Sequence, residues 1–215
     1  MKIIVIGASG RVASRLIEKL ADQGHAVLAC SRHPESIVKG DKIQTEKLDL
    51  HDSVEKIAMT IGQADLIYFV AGSRGKDLLQ TDAFGALKTM QAAEKNHIKR
   101  YIMLSTAASL EPEKWDSPAI QSILNYQIAK FFADNYLMSN TQLDYTILQP
   151  VSLLEEAEIG RVSLAPSLST TMSSTNTIGD VAAVLAEIPK HDNTIKKVIA
   201  MSQGDSPIVD ALEIL

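Results

Sequence analysis

The sequence predicts an α/β fold, a doubly wound parallel sheet of about seven strands with helices on both faces. Three observations carry that prediction. The chain opens on an unbroken β-branched run, Ile3 to Ile6, the pattern of a strand buried on both faces. The run stops in a turn of small residues, Gly7-Ala8-Ser9-Gly10, and a helix follows at once. From there apolar runs alternate with helical patterns almost to the end, which implies parallel strands joined by right-handed crossovers.

In the first helix Val12, Leu16, Ile17 and Leu20 fall at helical spacing, while Arg15, Glu18, Lys19 and Asp22 point elsewhere. Gln23-Gly24-His25 caps it, and Ala26 to Cys30 makes the second strand. Pro34 to Lys39 reads as a short helix or turn, Ile43 to Leu48 as a strand, and Val54 to Ile61 as a helix for which Asp49 or Asp52 is a candidate cap. Leu66 to Val70 is the fourth buried strand, stopped by Ala71-Gly72-Ser73-Arg74-Gly75. A long helix is expected over Leu78 to Asn96, with Phe84, Leu87, Met90 and Ala93 at helical spacing, followed by a strand over Arg100 to Leu104. Glu111 to Pro118 is a polar loop holding Trp115, read as an apolar anchor or as a lid. A helix over Ile120 to Ser139 leads to a sixth strand, Tyr145 to Leu148, halted by Pro150. Residues 151–177 lack a helical period and are expected to build irregular structure over the carboxyl edge of the sheet. A helix over Ile178 to Ile188, capped by Thr177 or Asp180, and a strand over Lys197 to Met201 complete the pattern. The length suits one domain, 1–215, in which 151–177 and 202–215 form a small substrate-side lobe.

Bulk properties narrow the partners. Twenty-one basic and 26 acidic residues give a net charge of −5 with no long basic stretch, which argues against nucleic acid. No segment approaches the roughly 18 apolar residues of a membrane span. The apolar run at the start ends too early for a signal peptide, so a cytoplasmic location is expected. Cys30 is the only cysteine, excluding an intrachain disulfide, and the five histidines have no ligand spacing, so no metal site is inferred.

The opening turn is the first candidate for chemistry. A glycine-rich turn lets the backbone approach a phosphate, and the N–H groups of the new helix favour its charge. Gly7, Ser9, Gly10, Arg11 and Val12 are therefore candidates to hold the pyrophosphate of a dinucleotide, with Ala13 as the small third residue of a Gly-x-x-Gly-x-x-Ala pattern. After the second strand, where a carboxylate would hold a free ribose 2′-hydroxyl, the chain has Ser31, Arg32 and His33. A hydroxyl and a guanidinium suit a 2′-phosphate, which favours NADP over NAD as cofactor, with Arg11 as a second cation. Taken in isolation, Arg32 is equally an ordinary solvated arginine. Asp49 and Leu50 are candidates for the adenine, and Ala71, Gly72 and Ser73 for the middle of the dinucleotide.

Tyr126 and Lys130 are four apart and share one helical face. An ammonium beside the phenol is expected to lower its pKa from about 10, so that Tyr126 can pass a proton to a carbonyl oxygen while Lys130 holds a ribose. Thr106 or Ser105, at the end of the fifth strand, would hydrogen-bond the same oxygen. Arg74, Trp115 and the segment after Val151 are the expected substrate walls.

Gly-Ala-Ser-Gly-Arg-Val-Ala at 7–13, Asp49-Leu50, Ala71-Gly72-Ser73, Leu104-Ser105-Thr106, Tyr126-x-x-x-Lys130, Asp144 to Pro150 and Gly204 to Ile208 together resemble the atypical short-chain dehydrogenase/reductases. The resemblance is nearest to their small bacterial NAD(P)-binding members of the NmrA-like group. It implies a Rossmann domain, a catalytic set of Thr106 (or Ser105), Tyr126 and Lys130, and backbone of Pro150 and Val151 beside the nicotinamide. The expected function is an NADP(H)-dependent oxidoreductase acting on a small carbonyl or quinone-like substrate. The alternative is a regulatory protein that senses NADP(H) for a protein partner without turnover. An epimerase or isomerase is disfavoured by the shortness of 151–177.

Overall fold

The computed structural model describes residues 1–169 and 172–215. Its centre is β1 (Lys2–Ile6), flanked by β2 (Ala26–Ser31) and then β3 (Ile43–Lys47) on one side. On the other lie β4 (Leu66–Phe69), β5 (Arg100–Leu104), β6 (Asp144–Pro150) and, beyond β7 (Ser152–Leu154), β8 (Arg161–Ala165) and β9 (Thr175–Thr177) in chain order, β10 (Lys197–Gln203). These seven strands, β3-β2-β1-β4-β5-β6-β10, run parallel. The order reverses at β1, the topological switch point at which open α/β sheets bind their ligands.

The β-branched run of β1 is buried on both faces because successive side chains point opposite ways. Ile3 and Val5 pack with α1 (Arg11–Asp22) and α6 (Ile178–Glu187), while Ile4 and Ile6 join the core under α2 (Val54–Ile61), α3 (Phe84–Lys95) and α5 (Leu124–Asn140). Each of the four is fully buried, worth about 1.5–3 kcal/mol apiece. One short strand thereby joins two cores.

Several elements depart from the sequence reading. The expected helix over 78–96 is two pieces, a π-helical turn at Leu78–Ala83 leading into α3. A wider turn brings Asp82 inward, where it is fully buried and accepts from Ser73 N at 3.0 Å. The helix expected over 120–139 is likewise split, into α4 (Pro118–Gln121) and α5, because Ile123 leaves the helical region at φ −126°. Neither Asp49 nor Asp52 caps α2: Ser53 does, accepting from Lys56 N. Thr177 caps α6 through Asp180 N, as expected.

The largest difference lies after Val151, where irregular structure was expected. β7 and β9 form a small parallel pair, and β8 adds antiparallel to β10. β11 (Ser206–Pro207) pairs in turn with β8, so the main sheet has nine strands rather than about seven. The segment is short and rich in Ser and Thr, which hides β character from an apolar-period reading. Within 202–215, α7 (Ile208–Glu213) packs against β8 and α6. That places it at the sheet edge, away from the carboxyl ends of β1 and β4. Among the described residues no helix is long and apolar enough to cross a membrane.

Gly7 is a point of close backbone approach. It sits at φ +89°, and a Cβ there would lie 2.5 Å from the backbone N and Cα of Ala71. Gly62 also has positive φ (+58°) but faces open space. Gly7→Ala should therefore lower unfolding free energy by about 2–4 kcal/mol, adding overpacking to left-handed strain, whereas Gly62→Ala should lower it by only about 1 kcal/mol. Urea denaturation of the two variants checks the difference.

Candidate functional site

A cleft of about 1080 Å3 runs along the carboxyl ends of β1, β2, β4, β5 and β6. Fourteen of the residues singled out from sequence for binding the cofactor line its wall: Gly7, Ser9, Gly10, Arg11 and Val12 from the opening turn, Ser31 and Arg32, Leu50, Ala71 to Ser73, and Lys130, Pro150 and Val151. Ser105, Thr106 and Tyr126 line it too. Asp49 does not. Its carboxylate turns back to accept from His51 N at 3.0 Å, which shapes the loop that presents Leu48 and Leu50.

The opening turn is held in place from below. Gly7 N and Ala8 N both donate to Cys30 O at 3.0 Å, and Gly10 N donates to Gly7 O. α1 starts at Gly10 with no side-chain cap and no acidic residue in its first turn. Its leading N–H groups and positive dipole end are thus left for an anion in the cleft. Ser31 Oγ donates to Ser9 Oγ at 3.1 Å and accepts from His33 N, so its hydroxyl joins the second strand to the phosphate turn. Among the described residues the exposed Arg32 guanidinium has no hydrogen-bond or ion-pair partner. Arg11 is paired from outside the cleft: Glu155, which is not part of the cleft wall, meets it at 2.6 Å and lines a second, smaller hollow that Arg11 also borders. That carboxylate was not found from sequence, because it lies 144 residues away in the segment read as irregular.

Charge is distributed unevenly. In a chain with net charge −5, the described wall of this cleft carries Arg11, Arg32, Arg74, Lys76 and Lys130 and no aspartate or glutamate. The far end is apolar, with Ile120, Ile123, Leu153, Leu168 and Met172. Trp115, expected there, points away: its Nε1 donates to Ala108 O at 2.8 Å and its ring packs edge-on to Phe131. It is the anchor rather than the lid.

At the floor, Lys130 Nζ donates to Leu104 O at 3.2 Å and lies 5.7 Å from the centre of the Tyr126 ring. The pair converges as the spacing requires, but the expected lowering of the phenol pKa is reversed. Burial raises it, Lys130 offsets part of that, and the buried carboxylates Asp82 and Asp134 raise it further. The phenol is a neutral acid. The two hydroxyl candidates separate cleanly. Ser105 Oγ is buried and donates to Asp134 Oδ2 at 2.6 Å, while the half-buried Thr106 lines the cleft and its hydroxyl has no partner among the described residues.

Asp134 escaped the sequence reading, although its place four residues after Lys130 and eight after Tyr126 puts it on the same helical face. Burial pushes its carboxyl up to about 6, against hydrogen bonds from Ser105 and Ser109, the charge of Lys130 and a hydrogen bond from Gln149.

A profile described as NAD(P)H-binding matches residues 7–192. The chain is 32% identical over 220 residues to a protein of Bacillus subtilis named as an uncharacterized sugar epimerase, YhfK, covering 99% of each. It is 33% identical to the UPF0659 protein YMR090W of Saccharomyces cerevisiae, covering 97% of this chain and 96% of that one. Among solved structures it resembles the oxidoreductase ylbE of Lactococcus lactis, with 41% identity, a TM-score of 0.95, and 100% and 96% of the two chains covered.

The raised pKa of Asp134 has a defined consequence for stability. Between about pH 4 and pH 6 the folded chain keeps a proton that the unfolded chain has released, so this group makes unfolding easier as pH rises through that window. In Asp134→Asn the effect disappears. The stability of the variant minus that of the parent should rise by up to about 3 kcal/mol from pH 4 to 6 and level off above, measured by urea denaturation across that range.

Proposed function

Because the chain belongs to the NAD(P)H-binding family, we propose that it is an NADPH-dependent oxidoreductase that reduces a small carbonyl or quinone-like compound. The observation that carries this reading is the cleft wall itself, whose described residues supply five cations and no carboxylate, with a half-buried phenol and a buried ammonium at its floor.

The residues fit a dinucleotide that carries three phosphate groups. The space above Gly7 that a Cβ would fill lets backbone meet backbone, and the uncapped end of α1 suits the pyrophosphate. Among the described residues Arg32 has no partner of its own, which suits a 2′-phosphate, and the wall lacks a carboxylate that would repel one. Bound there, the reduced nicotinamide supplies a hydride to the electrophilic carbon. Thr106 Oγ, which has no other partner among the described residues, orients the carbonyl oxygen. Tyr126 gives that oxygen its phenolic proton as the C=O bond becomes C–OH, and Lys130 steadies the phenolate until solvent returns the proton. A phenol pushed up by burial suits this direction, since the reaction begins with the proton in place. The apolar end selects an uncharged, compact substrate.

The name of the Bacillus subtilis relative supports a second reading, epimerisation with a retained cofactor. Net oxidation of NADPH separates the two, because an epimerase returns the hydride. Tight NADPH binding with no turnover on any carbonyl or quinone would instead mark a sensor.

Two variants test the assigned roles. Arg32→Ala should weaken NADPH binding about 10- to 100-fold and leave NADH within about twofold, as read by cofactor fluorescence. Equal losses for both cofactors would remove Arg32 from the 2′-phosphate site. Tyr126→Phe should lower kcat about 100-fold or more with unchanged NADPH affinity. Intact turnover would overturn the proton-donor role.

A further inference from the structure

Behind the cleft floor lies a buried polar cluster that the proposed reduction does not use. Asp134 is fully buried, and its Oδ2 accepts from Ser105 Oγ at 2.6 Å, Ser109 Oγ at 2.5 Å and Gln149 Nε2 at 3.3 Å. Its Oδ1 is buried with no partner among the described residues. Ser105 and Gln149 stand at the ends of neighbouring strands, and the residues that follow them, Thr106 and Pro150, line the cleft. Ser109 closes the turn that carries Thr106, donating from its N to Thr106 O. That turn holds Ala108 at φ +58°, a conformation that a residue with a Cβ keeps only where its surroundings enforce it.

We propose that Asp134 is a positioning residue of the reductive site, its carboxylate pinning the Thr106 turn and the ends of β5 and β6 to α5. The proposal rests on the reading of Thr106 and Tyr126 given above. Three donors aimed at one oxygen are the coordination of an anion. A neutral acid would have to turn one of them away or place its proton on Oδ1, where no acceptor is in reach. The anion is tolerated because the buried Lys130 ammonium lies one turn back on the same helix. The other ionisable groups at this face are Tyr126 on α5 and Asp82 on the π-helical turn, and Ser105, Ser109 and Gln149 carry no charge. Protonating Asp134 therefore releases the turn, and the Thr106 hydroxyl with it.

The only tryptophan of the chain reports on that turn, since Trp115 Nε1 donates to Ala108 O. Trp115 emission of the protein alone, without cofactor or substrate, should show a transition with a midpoint near pH 6. It should vanish in Asp134→Asn. In Ser105→Ala, where the carboxylate loses a donor, it should move upward by half a pH unit or more. The acid limb of kcat/KM should follow the same midpoints in the parent and in Ser105→Ala, with NADPH affinity unchanged within about twofold. A parent without the transition, or a midpoint that Ser105→Ala leaves in place, overturns the proposal. Should Asp134→Asn fail to fold, Ser105→Ala decides alone. The fluorescence needs no turnover, so a protein that reduces nothing but shows the transition loses the reductase reading and keeps the pinned turn. One that reduces carbonyls without it loses only the pinning.

Discussion

Two strand ends approach so closely that only a glycine fits between them. Gly7 closes β1 against the backbone of Ala71 at the end of β4, and this contact sets where the chain can turn into α1. A side chain at position 7 would push the turn away from β4 and into the space the cleft occupies. The same approach brings the first-turn N–H groups of α1 to the sheet's switch point, where β1 sends its crossovers in opposite directions. Packing and binding therefore share one cause. The sequence that buries β1 on both faces also leaves its carboxyl end with nothing larger than a hydrogen.

Charge then sorts what packing leaves open. The described carboxylates near the cleft lie behind its wall rather than on it. Glu155 holds Arg11 from the outer side, Asp82 accepts from the Ser73 backbone, and Asp134 is sealed beneath Ser105. A carboxylate so placed fixes a wall residue without presenting a negative surface to the ligand, because its lone pairs are already taken up or turned inward. The exposed Arg11–Glu155 pair is worth at most about 1 kcal/mol, so its effect is on where the guanidinium stands more than on stability. The buried charges of Asp134 and Lys130 are different, since they act on each other without direct contact among the described residues and neither has solvent to fall back on.

What could be read from sequence follows the range of the interaction. The strand-turn-helix at 2–22, the alternation of elements and the convergence of Tyr126 with Lys130 all depend on residues within a few positions of one another, and periodicity reports those faithfully. Contacts across long loops left no local trace. Glu155 reaches Arg11, Ser105 commits its hydroxyl to Asp134, and β8 joins β10, each through a partner dozens of residues away. The pKa of Tyr126 was misjudged for the same reason: the lysine four residues along was visible, whereas burial and Asp82 were not. Trp115 shows the opposite outcome. Its half-buried indole N–H takes Ala108 O as partner, and the side chain lies outside the cleft wall.

The inner face of α5 shows what the site requires of the fold. A helix packed on a sheet ordinarily lines its inner face with Leu, Ile and Val, yet α5 turns Gln127, Lys130 and Asp134 inward and leaves Phe132 more than half exposed. Each buried polar group there forgoes the roughly 1.5–3 kcal/mol that an apolar side chain would contribute. Two carboxylates and an ammonium also have to be desolvated around one phenol. Local propensity and core packing do not explain that choice, for either would be better served by leucine. The polar stripe makes physical sense only if the positions of Thr106, Tyr126 and Lys130 matter more than the stability given up to hold them.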